Sequence, residues 1–151
     1  MRNKSFLVLL ISVAGAFLAV TGVAKLISAS GSANILVVDD PIFKIPFRQV
    51  FYIIGLLEIA IAIVCLSGTP IRLQACLVAW LGTCFLLYRV GLIFVDYHRP
   101  CSCMGNLTDA LNISPRLADE IAKVVLVYLL FSGYATLFFC WRSKNLNESK
   151  V

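Results

Sequence analysis

The sequence predicts an all-α, polytopic membrane protein: a four-helix bundle with a long loop between its third and fourth helices. Three observations lead there. Hydrophobic residues fill 60% of the 151 positions and charged residues only 14%. A mean hydropathy of +0.92 means more apolar side chain than the core of so small a soluble domain hides from water, so the surplus faces a lipid bilayer. Four stretches are each long and apolar enough to cross a hydrocarbon layer of about 30 Å, which takes roughly 20 helical residues. The same composition excludes disorder. Thirteen Lys and Arg stand against eight Asp and Glu, but the surplus is not gathered on an aromatic-studded basic face, so no nucleic-acid partner is expected.

The whole chain, 1–151, reads as one membrane domain. The first span, 6–27, has no charge before Lys25 and is longer than the roughly 7–15 apolar residues of a signal peptide, so it is expected to stay as an anchor. The second, 50–66, is short and interrupted by Glu58. A Ser67-Gly68-Thr69-Pro70 turn leads into the third, 73–95, which carries Arg89. The fourth, 124–141, is uncharged. Its helix is expected to start earlier, near Pro115, because Ser114-Pro115 reads as an N-cap followed by proline at the first helical position. Asp119 and Glu120 then suit the positive end of that helix.

Four spans put both termini on one side. Six Lys and Arg lie there in short segments beside the span ends, with Glu148 the one acid. The opposite side carries seven of each sign, spread over longer segments. By the density of positive charge the termini are expected in the cytoplasm, and the loops following the first and third spans outside it. A multi-pass inner membrane protein of a bacterium fits this, with its outer loops facing an oxidising space.

The most chemically loaded stretch is His98-Arg99-Pro100-Cys101-Ser102-Cys103-Met104-Gly105, in the loop after the third span. Cys101 and Cys103 can close a small disulfide ring if the chain turns at Ser102, and Pro100 and Gly105 bracket it with turn chemistry. A strained, exposed ring lies at the exchangeable end of the redox scale, and the neighbouring His98 and Arg99 favour the thiolate. These two residues are the candidate catalytic pair of a thiol–disulfide oxidoreductase. Two other readings stand beside it. The ring could be a structural staple, or His98, Cys101, Cys103 and Met104 could form a soft ligand set for Cu(I) in a non-enzymatic assembly factor. Cys65, Cys76, Cys84 and Cys140 fall in or at the ends of spans and are expected to be packing residues.

Charged groups at membrane depth are expensive and usually face a partner or a cavity. Glu58 and Arg89 lie roughly 12 and 9 Å from the same membrane face, a spacing that suits a salt bridge between them. Lys25 sits near that face too. Lys25, Glu58 and Arg89 are therefore expected to shape a polar pocket beneath the thiol loop, holding a quinone-like electron acceptor or only the loop itself.

Gly22-Val23-Ala24-Lys25-Leu26 closing the first span, Leu57-Glu58-Ile59 in the second and Cys101-Ser102-Cys103-Met104-Gly105 after the third resemble the MauE-type branch of the DoxX-like four-helix membrane proteins. The resemblance covers nearly the whole chain in the same order. Met104 stands where the family pattern has Phe. The resemblance implies a role in methylamine utilisation: maturation of a disulfide-rich extracytoplasmic partner, alongside a thioredoxin-like protein.

Overall fold

The structure, a computed structural model, describes residues 2–31, 34–95 and 115–148. Four long helices account for most of them: α1 (Arg2–Ala29), α2 (Phe47–Leu66), α3 (Ile71–Phe94) and α4 (Pro115–Glu148). A short 3₁₀ helix, Asn34–Val37, lies between α1 and α2. Each of the four is long and apolar enough to span a membrane, and no strand occurs among the described residues. Ser114 lies outside them, while α4 begins at Pro115 as the sequence predicts.

Helices α2 and α3 start slightly earlier than their apolar runs, because Pro46 and Pro70 set the entry backbone at φ −54° in both cases. The first turns then contain Arg48, Gln49 and Arg72, which hydropathy alone leaves out of a span. The turn between α2 and α3 uses Gly68 at φ +68°, a conformation open to glycine. Three side chains satisfy the carbonyls that the end of α2 leaves without helical partners. Ser67 Oγ donates to the Ile63 carbonyl, Thr69 Oγ1 to Val64 at 3.0 Å, and Gln74 Nε2 to Val64 and Thr69.

The bundle is built from two antiparallel hairpins, α1 with α2 and α3 with α4. Helix α1 also packs on α3 and α4, so it touches all three others. Small residues set the two main contacts. A Cβ on Gly22 would lie 2.9 Å from the Gly55 carbonyl oxygen, and one on Gly55 3.0 Å from that of Gly22, so the backbones of α1 and α2 nearly touch. On the other hairpin, a Cβ on Gly133 would come within 2.8 Å of the Ala79 backbone nitrogen. Without a hydrophobic force between helices in lipid, such close approach supplies the dispersion contact that holds them. The core between the hairpins includes Ile11, Ala14, Leu18, Ile61, Val78, Leu81 and Leu129. Outward-facing residues such as Leu9, Leu56, Leu87 and Val127 form the lipid belt.

Of the span cysteines, Cys65 is a core residue packed against Gly15. The packing expectation fails for Cys76 and Cys84, which are exposed on α3; eight residues apart, they share a face that points away from the bundle.

Gly133→Ala should lower stability by about 1–3 kcal/mol, because the new methyl meets backbone that cannot turn aside. Thermal unfolding followed by circular dichroism in detergent measures this, with the lipid-facing Val127→Ala as a control expected to leave the midpoint nearly unchanged.

Candidate functional site

Gly22 and Lys25 on α1, and Gly55 and Glu58 on α2, follow the same three-residue spacing. At the Gly22–Gly55 contact the two antiparallel helices are closest. Lys25 lies one turn farther along α1 and Glu58 one turn farther along α2, displaced in opposite directions along the bundle axis. Helical side chains lean toward their own N-terminus, and this lean carries Lys25 and Glu58 back toward one another. Lys25 Nζ donates to both carboxylate oxygens of Glu58, at 2.7 and 2.8 Å. The pair is deeply placed: Glu58 is 1% exposed and Lys25 13%. Helix α3 closes over it, with the Phe85 ring centroid 5.6 Å from the ammonium, within the range of a cation–π contact.

The expected Glu58–Arg89 bridge does not form. Glu58 is held by Lys25, and Arg89 reaches across the second hairpin to Asp119, Nη2 to Oδ1 at 2.6 Å. Pairing within hairpins explains the correction, because the close contacts of α1 with α2 and of α3 with α4 bring these charges together. Lys123, one turn along α4, bonds the other Asp119 oxygen at 2.9 Å and Glu120 at 2.7 Å. Asp119 and Glu120 thus serve as partners of cations on α3 and α4, and lie beyond the first turn of α4. This cluster is partly open to its surroundings, unlike the Lys25–Glu58 pair.

A third polar group was not foreseen. Asp40, in the segment between α1 and α2, is buried. Its Oδ1 accepts the backbone N–H groups of Ile42 and Phe43 at 2.8 and 2.9 Å, and its Oδ2 accepts the Tyr88 hydroxyl. The local signal is Asp40 followed by Pro41, a pattern suited to a side chain that caps its own turn. Its docking on Tyr88 depends on tertiary packing and has no local signature. Phe85, Tyr88 and Arg89, at i, i+3 and i+4 on α3, thereby receive contacts from Lys25, Asp40 and Asp119 in turn.

Of the predicted site residues, Lys25 and Glu58 are joined, while Arg89 belongs to a separate cluster one turn along α3 from Phe85. Cys101, Cys103, His98 and Met104 lie outside the described residues. The chain that contains them leaves α3 after Phe94 and enters α4 at Pro115, the helix ends nearest the Arg89–Asp119 pair. Among the described residues no group of three or more His, Cys, Asp or Glu side chains could hold a metal ion.

A family profile described as methylamine utilisation protein MauE matches residues 3–141. No curated protein and no solved structure matches the chain.

Removing one member of the buried pair leaves the other charge without its partner, which typically costs about 3–5 kcal/mol. Lys25→Met and Glu58→Leu should each lower the thermal midpoint sharply, and the double variant should recover most of the loss. Unfolding of the four chains in detergent measures the coupling, and additive losses would show that the pair does not hold the helices.

Proposed function

The chain belongs to the MauE family and is a multi-pass membrane protein, and from that premise we propose that it exchanges disulfides with an extracytoplasmic partner through Cys101 and Cys103. One observation carries the reading. Lys25, Arg89, Asp119 and Lys123 lie in the half of the bundle from which the Cys101–Cys103 segment departs, and Glu58, midway along α2, is bonded to the first of them. Charges at membrane depth usually face a partner or a cavity, and here they gather toward the helix ends that the Cys101–Cys103 segment joins.

In the proposed step, a thiolate of the partner attacks one sulfur of the Cys101–Cys103 disulfide. A mixed disulfide forms and the other cysteine leaves as thiolate. The partner's second thiolate then attacks the mixed disulfide, so the partner gains a disulfide and this chain keeps two thiols. The cationic Arg99 beside the pair stabilises the thiolate that leaves. Re-forming the ring removes two electrons and two protons, chemistry that a quinone-class carrier supplies when bound. The reading places the termini in the cytoplasm and the thiols outside it. The partner is a disulfide-rich or thioredoxin-like protein, and the family's name makes methylamine utilisation the first setting to examine.

Trapping of free thiols in native membranes tests the exchange. Cys101 and Cys103 should shift together with the redox poise outside the membrane, while buried Cys65 stays unreactive. Cys101→Ser and Cys103→Ser should each abolish disulfide formation in the partner. Full activity in both variants would end the proposal, as would copper that co-purifies in proportion to the integrity of His98 and Met104 while thiol trapping stays constant.

A further inference from the structure

The segment between α1 and α2 is held against the side of α3 rather than above its end. Asp40 bonds Tyr88, the Phe43 ring stacks on that of Tyr88 at 5.8 Å with the planes 8° apart, and a Cβ on Gly91 would lie 3.0 Å from Ile42 Cδ1. Helix α3 continues past this contact, and its last residues are large, apolar and uncovered: Ile93 is 77% exposed and Phe94 85%. From Tyr88 to Val95 the chain climbs about 10 Å. If that uncovered apolar end is to lie in lipid, the segment docked below it lies at membrane depth as well.

A non-helical backbone survives at that depth only when its polar groups are satisfied within the protein. The segment meets this demand closely. Asp40 N–H donates to the Ile45 carbonyl and Lys44 N–H to that of Asp40, both at 2.8 Å, and Phe47 N–H donates to Val38 at 3.0 Å. The Asp40 carboxylate takes the N–H groups of Ile42 and Phe43. Pro41 and Pro46 have no N–H to satisfy. Lys44 adopts φ 54°, the left-handed turn that closes this ring of bonds.

The outward side of the segment is largely apolar, with Asp39 the exposed acid in it. Val37, Val38 and Phe43 are exposed, Val37 by 75%, although none belongs to a span. Lys44 and Arg48 are exposed beside them, and long cationic side chains at such a position extend toward lipid phosphates while their stems stay in apolar surroundings. Ile42 of the segment meets Gly91, two residues before the exposed Ile93.

We propose that residues 36–46 form an interfacial segment embedded in the leaflet on the loop-bearing side. Val37, Val38 and Phe43 lie among phospholipid acyl chains, and Lys44 and Arg48 lie at the phosphates. The segment is then a collar that seats the α1–α2 hairpin in the membrane surface, independent of the chemistry of the thiols.

The full chain with Trp80→Phe and Trp141→Phe, carrying either Phe43→Trp or Val38→Trp as its single tryptophan, tests this in phospholipid nanodiscs brominated at acyl carbons close to the headgroup. Emission should show a clear loss relative to unbrominated lipid, and aqueous iodide should have little effect. The Val38→Trp chain leaves the Phe43–Tyr88 stack intact, so it reads the depth even if the other substitution disturbs the segment. Emission insensitive to bromine but quenched by iodide in both chains would overturn the proposal and make the segment a water-facing surface open to a protein partner.

Discussion

A carboxylate sealed inside a lipid-surrounded bundle governs much of what lies around it. Glu58 has almost no contact with the outside, and its ionised form is tolerable there only because Lys25 bonds both of its oxygens. That bond needs helices α1 and α2 to approach more closely than ordinary side chains allow. Gly22 and Gly55 supply the approach, each occupying the space where a Cβ would strike the other's carbonyl. Charge pair and glycine contact therefore form one unit: the glycines set the distance, and the pair makes that distance worth keeping.

Helix α3 relates this unit to the rest of the molecule. Within five residues it presents Phe85 to the Lys25 ammonium, Tyr88 to Asp40 and Arg89 to Asp119. Each of these groups comes from a different neighbour: α1, the segment after it, and α4. Along one turn of α3 the environment thus changes from a sealed pair to a partly open ionic cluster, while the apolar core is packed with Ile11, Leu18, Val78 and Leu129. The charged groups of this set run from the middle of the bundle toward the side on which the longer connections lie.

Much of this was legible in the sequence because lipid imposes strong demands on composition. Four spans, the tight turn at Gly68 and the start of α4 at Pro115 all follow from hydropathy and from the backbone chemistry of glycine and proline. Lys25, Glu58 and Arg89 stood out because charge is rare at such depth. Their partners were harder to assign. Depth along the axis placed Glu58 and Arg89 at similar heights, but pairing is decided by which helices touch and by the angular position of each residue around its helix. Spacing in the chain does not reveal this across separate helices. Asp40 was missed for the same reason, since its local turn is readable and its bond to Tyr88 is not. The exposure of Cys76 and Cys84 likewise depends on which face of a nearly uniform apolar helix turns inward.

The separation of Lys25 from Glu58 also bears on how the protein is made. A ribosome delivers Lys25 to the membrane 33 residues before Glu58 follows. During that interval Lys25, four residues from the end of its helix, can extend its ammonium to the membrane surface, so its solitary state is short of prohibitive. Glu58 has no such refuge midway along α2. Its entry into lipid is easier with the lysine already waiting, which couples the insertion of the first two helices.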